Sequence, residues 1–130
     1  MLCSMRHWPA TAIALVAELR ALAESAPQHW FWTSTAVVGG CFVCFERELA
    51  GAGRAGDRGW AAASADSQAV VITGAAGDRY RIGPLALREG ALLEAAVRAM
   101  PRIPDVLLVD ATGRDHPRRA GLALELGTVV

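Results

Sequence analysis

Apolar positions recur at helical spacing in some stretches and alternate or run together in others, so the chain reads as helices mixed with strands. Over residues 9–26, Ile13, Leu15, Val16, Leu19 and Leu22 form an apolar stripe at helical spacing, and Pro27 is the stop signal. Trp30 and Trp32 precede a β-branched run that predicts strand one over residues 33–45. Residues 51–59, rich in glycine, alanine and arginine, read as a long hairpin loop. Residues 60–65 and 69–73 predict two more antiparallel strands, joined by a turn at Asp66-Ser67. Residues 74–84 form a loop that carries Tyr80, the only tyrosine.

A second helix is predicted over residues 85–100, with Leu85, Leu92, Leu93, Ala96 and Val97 inward and Pro101 as its stop. Strand four spans residues 105–110, and its four consecutive apolar residues, Val106 to Val109, suit a strand covered on both faces. A short helix over residues 117–126 follows, closed by Gly127, and residues 128–130 begin another strand. An α/β domain rarely ends a few residues into an apolar strand, so the pattern predicts a truncated chain.

The length of 130 residues suits a single domain, residues 1–130, and 53% hydrophobic content predicts a folded core. Formal net charge is zero, which removes any global attraction for nucleic acid or acidic membranes. All 13 basic residues are arginines, so phosphate contacts would rely on guanidinium forks; a GC-rich coding sequence explains the same composition. The apolar stretch over residues 12–23 is broken by Glu18 and Arg20, which argues against a signal-peptide core or a membrane span.

Cys3, Cys41 and Cys44 make an odd count, and reducing cytoplasm is the expected location. The Cys41-x-x-Cys44 spacing lies inside a predicted strand, where residues three apart face opposite ways. Both thiols therefore read as small hydrophobes rather than metal ligands. His7 and His29 have no partner pattern.

The residues that carry chemistry cluster late in the chain. Asp110 ends a buried strand where α/β sheets place ligands, and a glycine turn then leads to His116-Pro117-Arg118-Arg119. A carboxylate beside arginines and a histidine points to a metal ion and a phosphate; an ordinary strand-turn-helix with a solvated basic start fits the local pattern too. Glu89, on the preceding helix, could share a divalent cation with Asp110, an oxygen-ligand site suited to Mg²⁺.

Val109-Asp110-Ala-Thr-Gly113-Arg-Asp-His116-Pro117-Arg118-Arg119-Ala-Gly121 resembles the V-D-G-x-G-x-x-H-P-R-R/K-x-G signature of the endonuclease V family. Upstream, Tyr80-Arg-Ile-Gly83-Pro-Leu85-Ala86-Leu87-Arg88-Glu89-Gly90 is similar to its Y-I-P-G-x-L-x-F-R-E segment, and Val38 to Phe45 to its A-G-x-D-x-x-F/Y strand. The resemblance covers nearly the whole chain.

It implies a ribonuclease H-like α/β fold, with antiparallel strands one to three, a parallel strand four and flanking helices, of which this chain holds the N-terminal part. The implied activity is an Mg²⁺- or Mn²⁺-dependent DNA repair endonuclease that cuts 3′ to deoxyinosine and other deaminated bases. In some lineages the substrate is RNA. Asp110 and Glu89 would be metal ligands and catalytic carboxylates, with His116 beside them. Tyr80 would wedge the strands apart at the lesion, in keeping with the cost of flipping a base. Gly83 would let backbone approach that base, and Arg118 and Arg119 would hold phosphate at a helix start.

The chain departs from the family at several positions. Phe42 stands where the first-strand aspartate ligand belongs, and it offers no oxygen. Ala111 replaces a glycine of the turn, Ala91 a proline, and Leu124-Glu125 a Ser-His pair. The family's chain continues past the point where this sequence stops, through a further strand and a late histidine. The expectation is thus a weak or inactive nuclease; the alternative is a non-catalytic remnant that binds nucleic acid or protein. The unfinished sheet edge predicts self-association.

Overall fold

The computed structural model describes residues 8–26, 29–46 and 51–130. Its elements run α1 (Ala12–Glu24), β1 (Val38–Phe45), β2 (Arg58–Ala65), β3 (Gln68–Ala75), α2 (Leu85–Arg98), β4 (Val106–Val109) and α3 (Leu122–Val129). The four strands form one sheet in the order β3-β2-β1-β4. β1, β2 and β3 pair antiparallel, and β4 returns parallel to β1. This is the mixed α/β sheet that the resemblance implies. Among the described residues no helix is long and apolar enough to cross a membrane.

α2 packs across β1, β2 and β3, and α1 and α3 pack against α2. The core between helices and sheet is built from Leu15 and Leu19 of α1, Leu93 and Val97 of α2 and Leu126 of α3, set on Cys41, Val43, Ala61 and Ala63. The alanines of β2 let α2 approach the sheet closely. Gly90 serves the same end, because a methyl group there would strike the ring of Trp8. Trp8 is anchored in turn, its indole N–H donating to Glu94 Oε2 at 2.6 Å.

The turn at Asp66-Ser67 is the expected one. Both residues are left-handed, with φ of 49° and 63°, the two-residue hairpin geometry that matches strand twist. Other expectations are corrected. α1 starts at Ala12, capped by the Thr11 hydroxyl that accepts from Ala14 N–H, and Pro27 lies outside the described residues. Ile13 is 85% exposed: two residues before Leu15, it is turned some 200° away from the buried stripe. β1 begins at Val38 rather than residue 33, because Ala36 N–H donates to Thr33 carbonyl and closes a turn ahead of the strand. β2 begins at Arg58, inside the span read as loop, and β3 runs on through Ala75.

The C-terminal third departs furthest. Val106 to Val109 form a strand covered on one face only, with Leu108 63% exposed. Val38, Phe42 and Val71 are exposed on the same outer face, as the pairing of Gly40 with Leu108 and of Ala62 with Phe42 and Val71 requires. The last helix begins at Leu122, not residue 117. Pro117 has no N–H, Arg118 N–H donates to His116 Nδ1, and Arg119 is left-handed (φ 61°), so no helical ladder can start there. α3 passes through Gly127, and the expected strand over residues 128–130 is its last turn, where Val130 N–H donates to Leu126 carbonyl.

One buried side chain ties the loops beside the sheet to α2. The Arg88 guanidinium lies 4.0 Å over the Phe45 ring. It donates to Asp57 Oδ2 (3.1 Å), Arg54 carbonyl (3.2 Å) and Asp78 carbonyl (2.7 Å). Asp57 also accepts from Arg54 N–H, and that bond, followed by the one from Arg88, holds its carboxyl below the usual value. A depressed folded pKa adds stability above the unfolded value and loses it as pH falls through the folded value. Thermal unfolding followed between pH 7 and pH 3 should therefore show Asp57→Asn melting lower than wild type at neutral pH. The gap should close below about pH 4, the ordinary aspartate range. Gly90→Ala should cost about 1–3 kcal/mol in denaturant unfolding, as overpacking does.

Candidate functional site

Continuing the β1–β4 register by one residue past Cys41 and Val109 sets Phe42 beside Asp110. Asp110 is exposed at the carboxyl end of β4, as the sequence predicts. Glu89 comes from the second turn of α2. It shares with Asp110, Phe42, Cys41 and Tyr80 the lining of a cavity of about 140 Å³. A wider groove continues from Phe42, Tyr80 and Glu89 past Arg88 to Gly53 and Glu46. Tyr80 is half exposed, and its N–H donates to Ala52 carbonyl at 2.6 Å, which pins the tyrosine loop to the β1–β2 loop.

Burial pushes the Glu89 carboxyl up from its usual value; the neighbouring Arg88 pulls it down and Asp110 pushes it up further. The two carboxylates thus feel each other. The third position belongs to an apolar ring. Cys41 does not substitute, since burial raises its thiol to about 11 and keeps it protonated. Cys44 is exposed on the opposite face, as two strand residues three apart must be. Among the described residues no three His, Cys, Asp or Glu side chains come together to hold a metal ion. A hard dication would find two carboxylates and a phenyl ring here, so the residues present do not fit an Mg²⁺ site.

The remaining predicted residues fall into a second group. Gly83 has φ 103°, and a Cβ there would lie 3.2 Å from an Arg118 guanidinium nitrogen, so the turn and the arginine are neighbours. Arg118 and Arg119 line a separate concavity against α1. With α3 starting three residues later, they do not sit at a helix N-terminus, and no helix dipole supports them. His116 is half-buried, accepts from Arg118 N–H, and does not line the carboxylate cavity. The structure thus brings Glu89, Asp110 and Tyr80 together and groups Gly83 with Arg118. Two functional side chains were missed from sequence, Arg88 and Arg20. Arg88 stood in the quoted Arg-Glu pair, and its burial among apolar neighbours on α2 was the available signal. Arg20 was visible only as an interruption of the apolar stripe.

A family profile described as Endonuclease V matches residues 23–130. The endonuclease V of Streptomyces coelicolor is 37% identical over 131 aligned positions, which span 94% of this chain and 53% of that protein. That of Dehalococcoides mccartyi is 31% identical over 126 positions, 95% of this chain and 55% of the relative. The solved structure of the Streptomyces avermitilis endonuclease V superposes with a TM-score of 0.72 at 33% identity, covering 92% of this chain and 54% of that one. A variant of Ciona intestinalis endonuclease V, in complex with a 23mer DNA containing an inosine followed by a ribo-adenosine, shares the fold. Its TM-score is 0.70 at 21% identity, covering 89% of this chain and 52% of that one. The chain spans about half the length of the curated relatives it matches. Sheet order, motif spacing and these matches agree: the chain belongs to the endonuclease V family.

Proposed function

We propose that this chain binds DNA carrying deaminated bases such as deoxyinosine, and that its metal-dependent cut on the 3′ side of the lesion is weak or lost. The observation that carries the reading is Phe42, in register beside Asp110 and on the same cavity as Glu89. Binding needs exposed aromatic and cationic groups, and these are present. Tyr80 stands half exposed at the groove mouth as the wedge, Gly83 leaves room for a flipped base, and Arg118 and Arg119 meet backbone phosphate. Cleavage needs a dication, Mg²⁺ or Mn²⁺, held by several oxygens; Glu89 and Asp110 supply carboxylates and Phe42 supplies none. His116 flanks the site as a positioning group.

RNA containing inosine is the second ligand of this reading, and cytoplasm its setting, in line with the free thiols of Cys41 and Cys44. β4 lies at the sheet margin with Leu108 exposed, so two copies can associate along that edge.

A labelled duplex with one deoxyinosine should bind in fluorescence anisotropy, with affinity falling steeply as salt rises. A salt-independent signal, or none, would sink the nucleic-acid reading. The same duplex with Mn²⁺ should stay largely intact, whereas efficient nicking beside the lesion would show that Phe42 is tolerated. Phe42→Asp should raise Mn²⁺ affinity in calorimetry by at least about tenfold, or 1.4 kcal/mol. In light scattering across a concentration series, dimer should grow with concentration and shrink when Leu108 is replaced by Lys.

A further inference from the structure

We infer that Arg20, on α1, joins Arg118 and Arg119 in a three-guanidinium cradle for a backbone phosphate of the bound nucleic acid, next to the Tyr80–Gly83 turn. The inference rests on the nucleic-acid reading above and extends it to a helix that the signature does not include. The cradle is a concavity of about 590 Å³ lined by Val16, Arg20, Ala23, Glu24, Arg118 and Arg119. Its three arginines are exposed. Among the described residues none of their guanidinium groups makes an ion pair or a hydrogen bond. Every other ion-paired arginine of the described chain has its carboxylate: Arg81 with Asp78, Arg88 with Asp57, Arg98 with Glu94 and Arg102 with Asp105.

Arg114 fixes the two halves of the cradle against each other. It belongs to the same turn as Arg118 and Arg119, and donates to Ser25 carbonyl (3.1 Å) and Ala23 carbonyl (3.4 Å) at the end of α1. That contact places a cation on the negative end of the helix, worth about half a charge, which would otherwise repel an anion bound nearby. Arg114 is therefore a positioning residue: it docks α1 onto the turn and offsets the helix dipole. Arg118 then links the cradle to the tyrosine loop, since its guanidinium lies against Gly83. The left-handed backbone of Arg119, unusual for a side chain of that size, lets the turn present both arginines to the same concavity.

One carboxylate opposes this assignment. Glu24 lines the same concavity, four residues from Arg20 on α1. Three guanidinium groups against one carboxylate leave the site cationic, and the forked, weakly hydrated guanidinium suits a phosphodiester. Glu24 limits affinity and makes a test of sign available.

The test measures binding of the full chain to a labelled deoxyinosine duplex by anisotropy, over a series of salt concentrations. Arg20→Gln should reduce the slope of log affinity against log salt by about 0.9, the value of one lost phosphate contact on B-form DNA. Arg20→Lys should keep the slope, and Glu24→Gln should bind more tightly than wild type at every salt concentration. Circular dichroism of each variant matching wild type confirms that the fold is intact. An Arg20→Gln slope equal to wild type, or a Glu24→Gln affinity below it, overturns the cradle while leaving the nucleic-acid reading in place. A wild-type chain that binds no duplex overturns both.

Discussion

The buried guanidinium of Arg88 is the constraint on which the site's arrangement depends. Its charge is removed from water, so each donor needs a partner, and the partners come from three separate segments: Arg54 and Asp57 from the β1–β2 loop, Asp78 from the loop after β3, and Phe45 from the end of β1. A buried pair of this kind adds little net stability over an apolar replacement, but it is strict about geometry. If any segment moved, a charge would be stranded in the interior. The residue after Arg88 is Glu89, and two residues beyond Asp78 comes Tyr80, itself pinned to Ala52. The clamp thereby sets the distance between the half-buried carboxylate and the exposed aromatic without touching either.

The parts of the fold set by local physics were legible in the sequence. The Asp66-Ser67 hairpin follows from residues that tolerate left-handed backbone between two alternating runs. α2 follows from an apolar face that ends before Pro101. Where a second element decides the outcome, the sequence misleads. Val106 to Val109 have the composition of a strand covered on both faces, yet cover is a property of neighbours, and Leu108 has none among the described residues. Pro117 is a good first residue for a helix, but the His116 side chain takes the Arg118 N–H and Arg119 turns left-handed, so α3 waits until Leu122. Ile13 shared a spacing with Leu19 and Leu22 and still faces outward, because the buried arc of α1 is narrow.

The site divides in the same way. Phe42 could be matched to Asp110 from strand order and register alone, and the pairing of β1 with β4 sets them side by side. The opposite faces of Cys41 and Cys44 were likewise a matter of period. The arginine cradle was not legible, since Arg20 and Arg118 are separated by most of the chain and meet only through Arg114 on the end of α1. Nothing in the spacing of α1 distinguishes Arg20 from a solvated surface arginine.

Phe42 and the arginines act at different steps of a shared reaction, which is why one can change while the others stay. Phosphate contacts and an aromatic wedge lower the free energy of the bound duplex and need no dication. A carboxylate set acts on the charge that develops as the phosphodiester breaks, so loss of an oxygen ligand falls on the transition state and leaves ground-state binding largely alone. Replacing a carboxylate by a phenyl ring also removes a negative charge from a groove that must accept a polyanion. With no metal to neutralise it, that aspartate would repel the strand. The substitution that weakens cleavage is on electrostatic grounds neutral or favourable for binding, and Asp110 beside Phe42 then carries the repulsion that remains.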